Sequence, residues 1–187
     1  MVVRRGRLGR VCARGASQAV SRGRSASPLG IIVDASDNPT AKVLFRVVDE
    51  DGSTNVETLW AYDLGGDRYR LDNYPFYAYS VSWGDVVYAP LDPSEGRPTF
   101  KSVLEKSGNR TLRVFVDPPL ESGNPSDELM KQLDALGCGY EGMRGVCFAV
   151  NIPPAADLTA IRELLTAEDV KWEHGDPTLE ELYPDDA

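Results

Sequence analysis

The chain has 187 residues, of which 42% are apolar and 26% charged, with a formal net charge of −9. That length and composition fit one ordinary domain or two small ones with a real core. No apolar stretch approaches the roughly 20 residues of a membrane helix, so an integral membrane protein is not expected. Three cysteines (Cys12, Cys138 and Cys147) and one histidine (His174) are too few for a disulfide scaffold or a Cys- or His-rich metal site. No metal or cofactor is expected on that ground.

Charge divides the chain. Residues 1–27 hold seven of the 20 basic residues and none of the 29 acids; the remaining 13 basic residues face all 29 acids, so the rest of the chain carries −16. A nucleic-acid footprint needs a basic face, so none is expected on the folded body. Residues 1–30 are rich in Arg, Ser, Gly and Ala. Their composition fits a basic disordered tail, a targeting segment or an extended start, and no secretory apolar core is present.

From there, strand signals follow closely. Lys42–Val48 is apolar and β-branched, and Asp49-Glu50-Asp51-Gly52 closes it with hairpin chemistry. Thr54–Tyr62 alternates, with Val56, Thr58, Trp60 and Tyr62 on one side and Asn55, Glu57 and Leu59 on the other. Arg68–Leu71, Gly84–Ala89 and Thr99–Glu105 complete five short strands, with Leu91–Arg97 as a polar loop. Short strands at this spacing without helices predict a small antiparallel barrel or sandwich over residues 31–107.

The second half alternates element types. Arg110–Val116 is a strand, and a helix starts at Ser126 with Asp127 and Glu128 in its first turn. Gly137 and Gly139 end that helix. Cys138–Gly142 and Val146–Ile152 are strands, Asp157–Ala167 is a helix with an apolar stripe, and Val170–His174 is a last strand. This β-α-β-β-α-β order predicts a ferredoxin-like domain over residues 108–175, followed by an acidic tail, 176–187. The fold class expected is therefore α+β, a small antiparallel β-barrel or sandwich and then a ferredoxin-like βαββαβ domain.

Certain runs carry a resemblance: Val43-Leu44-Phe45-Arg46-Val47, Glu57-Thr58-Leu59-Trp60-Ala61, Tyr69 to Phe76, Val81 to Val87, Ser107 to Arg113, and Leu136-Gly137-Cys138. Over residues 42–174 the chain resembles the bacterial domain-of-unknown-function family 4265. The resemblance implies a small soluble bacterial protein and carries no activity with it. The Arg-rich tail departs from the family, which usually starts near the first strand.

The candidate site is an aromatic loop. Tyr74, Phe76, Tyr77, Tyr79 and Trp83 crowd into ten residues, five of the 16 aromatic residues of the chain. Rigid amphipathic rings of this kind form binding surfaces or cap an open barrel end. Arg68, Arg70, Asp72 and Asp85 flank them, Asp72-Asn73 suits an Asx-turn before Pro75, and Trp60 belongs to the same group. Ser107-Gly108-Asn109-Arg110-Thr111 reads as a linker turn or, alternatively, as an anion-binding nest. Cys138 and Cys147 read as buried structural thiols, with a Cys–His pair to His174 as the catalytic alternative.

No catalytic set stands out. The function expected is a non-enzymatic, cytoplasmic protein-binding module, of immunity or antitoxin type, whose acidic surface and aromatic loop meet a protein partner, in that version a basic one. The alternatives are a small-molecule sensor and an enzyme using Arg and Asp residues around the loop.

Overall fold

The computed structural model describes residues 39–48, 52–117 and 126–186. The basic tail 1–30, Cys12 and the Asp49–Asp51 turn lie outside the described residues. Two antiparallel sheets carry the fold. The first has the order β1-β2-β3-β4-β7, from Ala41–Val48 (β1), Thr54–Asp63 (β2), Arg68–Leu71 (β3), Val86–Tyr88 (β4) and Ser102–Glu105 (β7). Between β4 and β7, Leu91–Asp92 (β5) and Arg97–Pro98 (β6) pair as a small hairpin in what the sequence presents as a polar loop. The second sheet has the order β11-β8-β10-β9, from Arg110–Phe115 (β8), Gly139–Met143 (β9), Cys147–Ile152 (β10) and Lys171–Asp176 (β11).

The helices are Ser126–Ala135 (α1), Leu158–Ala167 (α2) and Leu179–Leu182 (α3). Asp157 caps α2 by accepting from the N–H groups of Thr159 and Ala160. Gly137, at φ +85°, ends α1: its N–H reaches Asp134 C=O at 2.8 Å, and the Cys138 N–H reaches Leu133 C=O at 3.0 Å. These two bonds place Cys138 one residue past the left-handed glycine, where a helix stop of this type seats an apolar side chain.

The expectation of a small barrel or sandwich followed by a ferredoxin-like domain is overturned: the described residues form open antiparallel sheets with few helices. The first sheet does not close. One bridge, Leu44 with Thr99, and the Phe100 N–H to Leu44 C=O bond join the chain ahead of β7 to the outer edge of β1. A single bridge does not make a strand pair, and β7 pairs only with β4. Nor does the second sheet stand alone with one face bare, as an independent domain would. β8, β10 and β11 are buried at nearly every position on both faces.

Register explains what covers each face. Leu112 and Val114 of β8, Phe148, Val150 and Ile152 of β10, and Trp172 of β11 pack against Leu129, Met130 and Leu133 of α1 and Ile161 and Leu165 of α2. The opposite side chains, Thr111, Arg113 and Phe115, Cys147 and Ala149, and Glu173, meet the first half of the chain. The segment 72–83 is the layer between the sheets. Its Ala78 and Val81 join the core of the first sheet, with Val43, Phe45, Leu59 and Leu71. Its Phe76 and Tyr77 pack on Phe115, Cys147 and Met143 of the second.

Candidate functional site

The aromatic loop is held from within by a carboxylate. Glu57 lies on the inward face of β2, buried, in register with Phe45. Its Oε1 accepts from the Phe76 N–H at 2.7 Å, and its Oε2 from the N–H groups of Tyr77 and Ala78 at 3.0 and 2.7 Å. Three successive N–H groups thus cradle an anion that the chain itself supplies.

Arg113, buried in the middle of β8, anchors the far end of the loop. Its Nη1 donates to Glu173 Oε1 at 2.9 Å, its Nη2 donates to Ala78 C=O, and its guanidinium lies 4.1 Å from the Tyr79 ring centroid. The Tyr79 hydroxyl donates to the same Glu173 oxygen at 3.1 Å. A charge this deep needs such a set of partners, because burial strips both ions of water.

A second polar knot closes the junction. Asp85 accepts from the Ser82 and Ser107 N–H groups at 2.9 and 2.7 Å. Lys106 Nζ lies between Asp85 (3.1 Å) and Asp176 (2.7 Å) and also donates to Ser80 C=O. Burial opposes the Lys106 charge, but the hydrogen bonds and charges of Asp176 and Asp85 outweigh it and hold its pKa above the ordinary value. Ser82 Oγ donates to Asp176 at 2.6 Å and lies 2.9 Å from Thr111 Oγ1. Ser107 Oγ and Asn109 Nδ2 both donate to Trp83 C=O, so these polar groups of the 107–111 turn bind the loop.

The eleven candidate residues separate into two groups. Facing inward are Phe76, Tyr77, Tyr79 and Asp85, with Asn73 and Tyr74 at the margin. Asn73 Oδ1 accepts from the Trp60 N–H at 2.7 Å, and its Nδ2 approaches buried Glu141 at 3.4 Å. The hydroxyl end of Tyr74 packs on Gly139, where an added Cβ would come within 2.4 Å of that hydroxyl. Gly139 therefore serves tertiary packing, while Gly137 does the work of ending α1.

Facing outward, on the water side of the first sheet, are Trp60, Arg68, Arg70, Asp72 and Trp83. Trp60 is 37% exposed and Trp83 38%. Asp72 joins them: its N–H donates to Trp60 C=O at 2.8 Å, and its Oδ1 accepts from Trp83 Nε1 at 3.3 Å. Lys42, opposite Trp60 in the β1–β2 register, places Nζ 4.1 Å from the indole centroid. Arg70, opposite Tyr62, lies 4.8 Å from that ring. Arg68 pairs with Glu105 at 2.9 Å. The result is an exposed patch of rings with cations laid across two of them.

The thiols and the histidine do not meet. Cys147 is on the loop side of β10, while His174 shares the helix-covered face with Trp172. Cys138 precedes β9, at the opposite edge of the sheet from β11. Three strand spacings, about 14 Å, separate those edges. Burial, with the Asp134 charge, pushes the Cys138 thiol up to about 12, the reverse of what a nucleophile needs. Among the described residues, no group of three or more His, Cys, Asp or Glu side chains gathers as a metal site would require.

Sequence reasoning missed Glu57, Arg113, Lys106, Glu173 and Asp176 as organising residues. The signal was present for two of them. Glu57 sits in phase with Leu59 and Ala61, and Arg113 lies inside an apolar run; a charge at a core position demands a partner. Lys106 and Asp176 have no such signature, because their meeting depends on how the two halves dock.

A fold of two stacked open antiparallel sheets, with a ring-lined outer face, is what comparison with other proteins has to match. The sequence model of a family described as a domain of unknown function (DUF4265) matches residues 57–174, and the chain belongs to that family. The resemblance seen in the sequence is thereby borne out. No curated protein matches the chain. A solved structure, titled as a novel crystal structure of a hypothetical protein from Neisseria gonorrhoeae, is similar with a TM-score of 0.63 at 15% identity, covering 74% of this chain and 96% of that one. At that identity the likeness shows the fold alone. No helix among the described residues is long and apolar enough to cross a membrane.

Proposed function

We propose that the chain is a non-enzymatic protein-binding module whose contact surface is the outer face of the first sheet around Trp60 and Trp83. The observation that carries this reading is the pair of half-exposed tryptophans joined through Asp72 on one face. Trp, Tyr and Arg are the residue types that dominate binding energy at protein interfaces. The buried charged residues support the same reading from the other side. Asp85, Glu57 and Arg113 each hold backbone or another charge, which is a scaffolding role. The immunity or antitoxin version adds the −16 of residues 28–187, which would speed encounter with a basic protein partner. The free, buried thiol of Cys138 supports placing the protein in the cytoplasm.

The test compares the full chain with a Trp60→Ala/Trp83→Ala variant in capture from a bacterial lysate, followed by titration of the captured protein. Binding is expected to weaken at least tenfold, about 1.4 kcal/mol or more. A partner held equally well by both proteins would remove this surface from the proposal. Slower association in higher salt with a basic partner would support the immunity version, and salt-independent association would remove it.

A further inference from the structure

Two ring nitrogens on β11, Trp172 Nε1 and His174 Nε2, are buried without a hydrogen-bond partner. Trp172 is 1% exposed and His174 6%. The side chains are neighbours on the helix-covered face, edge to face, with ring centroids 5.3 Å apart. An indole N–H can only donate, and a buried donor left unpaired forfeits its hydration with no return. A polar species at these nitrogens would remove that cost.

Two cations point to its sign. The Arg162 guanidinium, from α2, lies 5.9 Å from the Trp172 ring centroid. Arg110 opens β8 two residues before Leu112, the register partner of His174, and so lies on the same face. Together with burial, both charges push the His174 pKa down to about 4. Arg46, Arg68 and Arg113 each meet a glutamate. Arg110 and Arg162 meet no carboxylate among the described residues, although residues 28–187 are strongly acidic.

We propose that Trp172, His174, Arg110 and Arg162 form an oxyanion site of the phosphate class at the β11–α2 edge of the second sheet. The indole N–H and a His174 tautomer carrying its proton on Nε2 donate from β11, and the two guanidinium groups supply the charge. A single water would satisfy the two nitrogens; the two guanidinium groups on the same face favour an anion over it. This site lies on the second sheet, separate from the Trp60 surface, and stands or falls without it.

The experiment is a titration of the full chain with inorganic phosphate and, in parallel, glycerol phosphate, against sodium chloride at matched ionic strength. Melting temperature and the ¹H–¹⁵N resonances of the Trp172 indole and the His174 ring are the readouts. At a tenfold excess over Kd the melting temperature is expected to rise by roughly 3–5 °C. Both resonances should move in a saturable way. Arg162→Gln and Arg110→Gln should each weaken binding at least tenfold, and Trp172→Phe should weaken it while keeping the ring packing. Tighter binding of glycerol phosphate would support the site and identify its ligand as a phosphate ester; equal binding would support it as a free-ion site. Identical responses to phosphate and chloride would overturn the proposal, as would binding that survives both arginine substitutions.

Discussion

On the first sheet, Glu57, Leu59 and Ala61 turn inward while Val56 and Trp60 face water. On the second, Thr111 through Phe115 and Cys147 through Ile152 are buried without a break. The difference lies in what covers each sheet. The first has one covered face. The second is covered by α1 and α2 on one side and by the 72–83 loop on the other. The two buried faces of the second sheet also differ in kind. The helix side is apolar apart from the Trp172 and His174 nitrogens, whereas the loop side carries Arg113, Glu173 and Thr111. An antiparallel sheet can thus hide a polar face, provided that the covering segment supplies partners for its charged groups.

Arg113 tests that condition most severely. In Arg113→Met, Glu173 loses its cation, Tyr79 loses the guanidinium on its ring, and Ala78 C=O loses its donor. Removing one member of a buried pair costs about 3–5 kcal/mol. Urea unfolding should show the loss, and Arg113→Met/Glu173→Leu should recover part of it. Equal stability of wild type and Arg113→Met would mean that the loop side does not depend on its polar contacts.

His174 tests the apolar side. Its pKa falls from 6.5 to about 4, chiefly through burial and then through the charges of Arg162 and Arg110. Above pH 6.5 the imidazole is neutral in both folded and unfolded chains, and its contribution to stability is fully present. As the pH falls below 6.5 the unfolded chain takes up a proton first, so stability is lost down to about pH 4. At 1.36 kcal/mol per pKa unit the loss is about 3 kcal/mol. Unfolding free energies at several pH values in phosphate-free buffer, for wild type and His174→Phe, should differ in slope across that window. Parallel curves would show that the imidazole titrates as it does in the unfolded chain.

Glu57 joins the comparison at the loop itself. Glu57→Gln keeps the shape but removes the charge and one acceptor from three N–H groups. The cost should be about 2 kcal/mol. The loop rings should loosen at the same time, seen as faster hydrogen exchange at residues 76–78 than in wild type. Unchanged exchange there would locate the restraint elsewhere.

How much of this was legible in the sequence follows from the same contrast. Period-two alternation at Thr54–Tyr62 and the apolar stripe of the second helix placed those elements, because each reports a single boundary between core and water. The sequence presents the β5–β6 hairpin as a polar loop, since two-residue strands leave no periodic trace. The short helix α3 is hidden in what composition presents as an acidic tail, although Thr178 and Glu181 spell a capping box that the structure forms. The aromatic loop was visible as a cluster, but its direction was not. Whether Phe76 or Trp83 meets solvent depends on the docking of a sheet that starts only at Arg110. Strand spacing alone predicts a barrel or sandwich, but it says nothing about whether the edges of β1 and β7 find each other.

The smallest effect on folding should come from the exposed face, and that is what sharpens the contrast. Trp60 is more than one-third exposed and touches Lys42 across the strand pair, so Trp60→Ala gives up a cation–ring contact and little buried area. Its cost to stability should be about 0.5–1 kcal/mol, well under that of Arg113→Met. Its Asn73 contact runs through the backbone N–H and survives the substitution. A large loss of stability in Trp60→Ala would mean that the indole supports the loop beneath it and that this face is scaffold. A small loss leaves a costly, water-exposed indole that the fold does not require, as expected of a side chain retained for contact with another molecule.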